Sequence, residues 1–178
     1  MSTLTPIRFD DYDPKTLAEM TGHVAVLVTP EGTMDQAART ANRLGKGGIA
    51  RLIESEGFKK AKTGSVITMA WPAGLAAEAL HVLVLPKRAS QTEARKAGAE
   101  LAKRAGGKAL TVMAGPMPRA ADLALGLALR AYGFDQHKTA ADEAPKGEVV
   151  IAHKSPEEMA TAFAPLLAVA EGVHMTRD

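Results

Sequence analysis

Apolar residues alternate between two patterns along this chain. Compact β-branched runs give way to longer stretches in which apolar positions recur every three or four residues. Ile7–Phe9 reads as a short strand, and the run from Val24 to Thr29, closed by Pro30, as a buried one. Thr33-Met-Asp-Gln36 has capping-box spacing and predicts a helix that stops near Gly45. A second helical piece is expected from Ile49 to Glu56, ended by Gly57. Val66–Ala70 and Leu80–Leu85 read as strands. The short turn between them, with Pro72 and Gly74, predicts antiparallel pairing.

The C-terminal half continues the alternation. Ser90-Gln-Thr-Glu93 is a capping box for a helix running to Ala105, with Gly106-Gly107 past its end. Ala109–Met113 is a strand. Arg119–Tyr132 predicts a helix with Leu123, Leu125, Leu127 and Leu129 around its circumference, hence a deeply buried one. Glu148–Ala152 is the last strand. Ser155-Pro-Glu-Glu158 opens a final helix expected to reach Val169 or Glu171, with Pro165 a candidate kink. The order βαα-ββ-αβαβα predicts a three-layer α/β/α sandwich around a mixed β-sheet.

Composition narrows the chemistry. The 178 residues hold no cysteine, which excludes disulfides, thiolate metal sites and cysteine nucleophiles. One Trp, two Tyr and four Phe argue against a stacking platform for single-stranded nucleic acid. The 34 alanines favour closely packed helices. A net charge of +2 imposes no nucleic-acid reading. No apolar run approaches the ~20 residues that cross a bilayer, and the start has no signal-peptide pattern. The expected location is the cytoplasm, without membrane attachment.

Candidate sites are few. His23, His81, His137, His153 and His174 show no metal-ligand spacing; His81 and His153 are expected at strand edges in structural roles. Asp10, Asp11 and Asp13 fall in a surface loop, and Glu157 and Glu158 have a helix N-terminus to explain them. No acid–base pair or activated nucleophile is nominated. The glycine-rich stretch Gly45, Lys46, Gly47, Gly48 is a candidate phosphate loop, although it lacks P-loop spacing; its plainer reading is a helix end followed by a new start. It is similar to the glycine loop of ADP-ribose-binding macro domains, and a macro-like ADP-ribose or nucleotide-binding module is one alternative function. Lys59, Lys60, Lys62, Lys103 and Arg104 are candidate contacts to DNA phosphates, the basis of a second alternative as a non-specific DNA-binding domain.

The segment Leu127-Ala-Leu-Arg-Ala-Tyr-Gly-Phe-Asp-Gln-His-Lys-Thr139 resembles the stretch closing the long helix in the N-terminal domain of leucyl (cytosol) aminopeptidases. Tyr132, Phe134, Asp135, Lys138 and Thr139 carry the likeness, and their expected role is structural. The strand His81-Val-Leu-Val-Leu-Pro86 and the closing 170–178 stretch also fit. The resemblance implies a macro-domain-like fold and a division into a domain over 1–154 and a final helix with the start of a linker over 155–178. It also implies that catalysis lies elsewhere. The family's two divalent metals, zinc or manganese, sit in a C-terminal domain marked by Asn-Thr-Asp-Ala-Glu-Gly-Arg, a motif this sequence lacks. The expectation is a non-catalytic domain with no cofactor and no catalytic or metal-binding residues of its own. It would belong to a metal-dependent leucyl aminopeptidase and serve assembly and active-site access. The implied partners are its own catalytic domain and neighbouring subunits of a hexamer, with DNA a further candidate from some bacterial members.

Overall fold

The computed structural model describes residues 5–135 and 147–177. Six strands form one sheet: β1 (Ile7–Asp11), β2 (His23–Val28), β3 (Val66–Ala70), β4 (Ala79–Val84), β5 (Leu110–Gly115) and β6 (Val149–His153). Their order across the sheet is β1-β6-β5-β2-β4-β3. All neighbours are parallel except β3, which pairs antiparallel with β4, as the short turn between them requires.

Helices cover both faces, which is why the inner strands read as continuous apolar runs. Val24, Val26 and Val28 of β2, with Leu80, Val82 and Val84 of β4, face α1 (Gln36–Leu44), α2 (Gly48–Glu54) and α3 (Glu56–Lys59). A 3-10 helix, Pro14–Glu19, adds Leu17 to that layer. Ala25, Leu83, Leu110, Val112 and Ile151 face the other way, onto α4 (Gln91–Ala105), α5 (Ala120–Asp135) and α6 (Pro156–Arg177). The three-layer mixed α/β sandwich expected from the alternation is the observed fold.

The closest helix–helix approach is between α4 and α5. A Cβ on Gly98 would meet the carbonyl of Leu123, and one on Gly126 the carbonyl of Arg95. The two backbones therefore touch through a pair of glycines. Beside them the buried Asp122 accepts from Arg95 Nε at 3.1 Å and lies 3.6 Å from Arg119 Nη1. As expected, Leu123, Leu125 and Leu127 are buried, but Leu129 is 39% exposed.

Several boundaries differ from expectation, each for a local reason. The Ser90–Glu93 capping box forms with both bonds. The Thr33–Gln36 box does not: Asp35 is the N-cap of α1, its Oδ1 accepting from Ala38 N at 2.8 Å. Thr33 is held instead in a turn, its N–H on Thr29 Oγ1 at 3.0 Å. The expected helix 49–56 breaks at Ser55, whose hydroxyl donates to Leu52 O and accepts from Phe58 N. Gly57 therefore falls inside α3, and Phe58 turns into the core. The last helix passes Val169 and Glu171 and continues to Arg177, with Pro165 inside it.

Candidate functional site

β2 and β5 lie side by side and parallel, but their chains leave in opposite directions. β2 feeds α1 on one face and β5 feeds α5 on the other. Such a switch point opens a crevice beyond the carboxyl ends of the strands. Here it has a volume of about 340 Å³. Its apolar walls include Leu27, Leu85, Pro86 and Met117; its polar groups are Tyr12, Asp35, Gln36, Arg39, Lys87 and Lys154, besides threonine hydroxyls.

Two acidic side chains shape one wall. The Tyr12 hydroxyl accepts from Ala37 N at 3.0 Å, and burial, with Asp35 close by, pushes its pKa up to about 12. Asp35 caps α1 with one oxygen. The other, Oδ2, is buried and has no hydrogen-bond partner. Burial pushes this carboxyl up to about 6, against the opposing pull of the Ala38 bond and Arg39. Arg39, Lys87 and Lys154 are exposed, and none makes an ion pair among the described residues.

His153 props the floor. Its Nε2 lies 2.7 Å from Met117 O, and its Nδ1 accepts from Ser155 N at 2.9 Å. A carbonyl only accepts and an amide only donates, so the ring is the neutral Nε2–H tautomer. It ties the end of β6 to the loop after β5. The structural role expected of His153 fits these bonds.

His81 differs from expectation. It sits in the middle of β4, fully buried, not at a strand edge. Its Nε2 lies 2.8 Å from Nδ1 of His23 and its Nδ1 lies 2.8 Å from Thr68 Oγ1. Strand register makes this chain of groups: β2, β4 and β3 are neighbours, and all three side chains point to the α4 face. Burial, then the neighbouring His23 and Arg104, lower the His81 pKa to about 4.

The other sequence candidates lie away from the crevice. Gly45–Gly48 packs at the opposite end of the sheet, against the turn between β3 and β4, where Gly74 rests on the Leu44 carbonyl. Gly45, Lys46, Gly47 and Gly48 donate their N–H groups to Ala41, Arg43, Asn42 and Gly45 carbonyls. These four amides are spent within the loop and leave none to cradle a phosphate there. Lys103 and Arg104 line a second groove with Lys96 and residues 63–66, next to Lys62. Arg104 Nε is also bonded to Glu100 Oε1 at 3.2 Å. Lys59 and Lys60 belong to the layer on the other face. Tyr132, Phe134 and Asp135 end α5; Lys138 and Thr139 lie outside the described residues. Among the described residues no three His, Asp or Glu converge as a metal site would need.

Sequence reasoning missed the crevice residues because they come from segments spread over positions 12 to 154, and Thr33 masked the Asp35 cap.

The Asp35 geometry makes a stability prediction. A carboxyl whose folded pKa is raised costs stability above that pKa and costs nothing once protonated in both states. Asp35→Asn keeps a capping oxygen and drops the charge. It is expected to gain about 3 kcal/mol near neutral pH, or about 10 °C in melting temperature, and little below about pH 4. Thermal melts of both proteins across pH check it.

A mixed sheet, helices on both faces and a crevice at the β2–β5 switch define the macrodomain class of fold. The macro domain of ganglioside induced differentiation associated protein 2 superposes with a TM-score of 0.58 over 91% of this chain and 84% of that one, at 15% identity. At that identity the likeness shows the fold alone. The chain belongs to the cytosol aminopeptidase family: the family's N-terminal domain matches residues 25–141. A probable cytosol aminopeptidase of Dinoroseobacter shibae is 42% identical over all 178 residues, and one of Cereibacter sphaeroides 36% identical over the same span. In each case the chain spans 36% of the relative's length.

Proposed function

We propose that this chain is the non-catalytic domain of a metal-dependent leucyl aminopeptidase, serving assembly and access to the active site. The observation that carries this reading is coverage: the chain aligns end to end with relatives yet accounts for only 36% of their length. The hydrolytic centre, with two divalent ions, zinc or manganese, is assigned to the remainder. A two-metal site needs several carboxylates around ions about 3.5–4 Å apart. Asp35 and Glu93 serve as helix caps, and Glu100 and Glu148 pair with arginines near the surface.

The reading divides the chain into a domain over 1–154 and a final helix with linker over 155–178. It places the protein in the cytoplasm within a hexamer. No helix among the described residues is long and apolar enough to cross a membrane.

Two measurements test it. The purified chain is expected to release no p-nitroaniline from leucine p-nitroanilide with zinc, manganese or magnesium, and its melting temperature is expected not to change with chelator. Metal-dependent turnover abolished by a substitution within these residues sinks the reading. In the Dinoroseobacter shibae relative, deleting the aligned region is expected to lower the assembly size seen by sedimentation velocity. An unchanged hexamer with unchanged peptide selectivity would remove the assembly and access role.

A second reading, non-specific DNA contact, is favoured by the groove that joins Lys96, Lys103 and Arg104. Its expected signature is weak retention of duplex DNA that disappears with moderate salt and with Lys103→Glu/Arg104→Glu.

A further inference from the structure

We propose that the outer edge of β3 is a docking site for an extended acidic segment of another protein, which adds a strand beside Thr68 and Ala70 and sends its carboxylates toward Lys96, Lys103 and Arg104. This goes beyond the assembly reading and stands or falls separately from it.

Three features select that occupant. The first is an open backbone. β3 ends the sheet, with β4 on its inner side only. Ser65 O accepts from Val84 N at 2.9 Å, and Trp71 N donates to Glu78 O at 2.7 Å. The alternation of an antiparallel ladder therefore turns Ile67 and Met69 toward β4, and Thr68 and Ala70 away from it. Both outward residues are exposed, and among the described residues nothing bonds their N–H or C=O groups. The opposite rim, β1, carries Arg8, Asp10 and Asp11, whereas β3 carries no charge to keep a new strand off.

The second is charge. Residues 63–66, which lead into this edge, share a groove with Lys96, Lys103, Arg104 and Arg130, against one carboxylate, Glu100. The Thr68 side chain points to the same α4 face of the sheet. Residues of an added strand that stand opposite Thr68 and Ala70 point that way too, so acidic side chains belong there. Ile67 and Met69, on the other face, pack half-buried against the apolar layer of α1, α2 and α3, so the alternate positions of the guest suit β-branched residues. The third is Trp71, the one tryptophan of the chain. It closes the edge 74% exposed, in a left-handed conformation (φ +47°) that a bulky residue rarely adopts. Its ring supplies an apolar anchor of the kind that dominates protein interfaces.

These features also choose between occupants. The stretch from Gly57 to Ala77 holds no Asp or Glu, so the β3 edge of a second copy brings no acid to the groove. A DNA duplex offers phosphate acceptors and leaves the Thr68 and Ala70 carbonyls without donors. An extended peptide matches both the donors and the acceptors of the edge.

The emission of Trp71 reads the test directly, near neutral pH and at low salt. Acetyl-Val-Glu-Val-Glu-Val-Glu-Val-amide is expected to shift it saturably, with a Kd on the order of 100 μM that weakens as salt is added. The same peptide with lysine in place of glutamate is expected to bind at least tenfold more weakly, and so is one N-methylated at its glutamates. Ala70→Pro removes an outward N–H without touching the ladder to β4, and is expected to weaken binding at least tenfold. Lys96→Glu/Lys103→Glu is expected to do the same. Melting curves check that each variant is folded. No saturable shift below about 5 mM overturns the proposal. So does equal binding of the lysine or N-methylated peptide, or binding that either variant leaves unchanged. Dimerisation of the chain that Ala70→Pro abolishes in sedimentation would give the edge to a second copy, and a DNA duplex that displaces the peptide at tenfold lower concentration would give the groove to nucleic acid; each overturns the proposal.

Discussion

Replacing Gly126 with valine is expected to unfold the protein at physiological temperature. The first carbon of any side chain there meets the Arg95 carbonyl of α4, and the Gly98 position meets the Leu123 carbonyl of α5 in the same way. Carbonyls within a helix cannot swing aside as a flexible side chain can. Accommodating valine therefore means separating α4 from α5, which removes Ala94, Ala97, Leu101, Leu123 and Leu127 from their shared core. Overpacking that forces backbone movement costs about 3 kcal/mol or more, against a total stability of about 5–15 kcal/mol. Gly98→Ala is expected to be damaging for the same reason although alanine is the better helix former. Gly172→Ala is the control: nothing lies near its Cβ position, and a gain of about 0.5–1 kcal/mol is expected. Urea unfolding of the three variants tests the series. A folded Gly126→Val protein would show that the two helices are not held in contact.

The second large effect is masked in the native protein. His81 titrates near 4 when folded and near 6.5 when unfolded. Between those values the unfolded chain binds a proton that the folded one refuses, so acidification removes stability, by about 3 kcal/mol in all. Asp35 works the other way. Its folded pKa of about 6 exceeds the unfolded 3.8, so the folded state binds the proton first and acidification adds a similar amount. From these two groups the native protein is expected to show little net change between about pH 6 and 4. Asp35→Asn should expose the His81 slope, with the melting temperature falling by about 10 °C across that window. His81→Gln should expose the opposite slope. Parallel curves for all three proteins would mean that neither group is linked to folding.

The sequence pattern was informative where one physical cause acts locally. Val24–Val28 and Leu80–Val84 are sandwiched between helices, so they read as strands without help from their neighbours. Ser90 and Glu93 close their box within one turn. The pattern misled where two local devices compete. Thr33 and Asp35 both offer a cap, and the turn that binds Thr33 to Thr29 decides for Asp35. At Ser55 a single hydroxyl bonding in both directions splits what the apolar spacing joins. The His23–His81–Thr68 chain and the crevice were illegible for another reason. Each is assembled by strand order, and β2 meets β4 and β5 only through crossovers that leave no mark in local spacing. The closing motif of α5 pointed to the family while saying nothing of the crevice, which shares no residue with it.

The pairing of β1 with β6 has a consequence for how the chain is made. Ile7 aligns with Val149, so the first strand waits on the ribosome for about 140 residues before its partner exists. At about 5–20 residues per second that interval is roughly 7–28 s. The other strands are luckier: β2 meets β4 some 56 residues later, as His23 aligns with Ala79. During the wait β1 is an unpaired edge, the kind of segment that recruits other nascent chains. Its sequence, Ile-Arg-Phe-Asp-Asp, places charges at three of five positions, and the finished sheet leaves it at the rim. The arginine and aspartates, which contribute little to the folded core, suit that interval, because charges on an unpaired strand disfavour pairing with other chains.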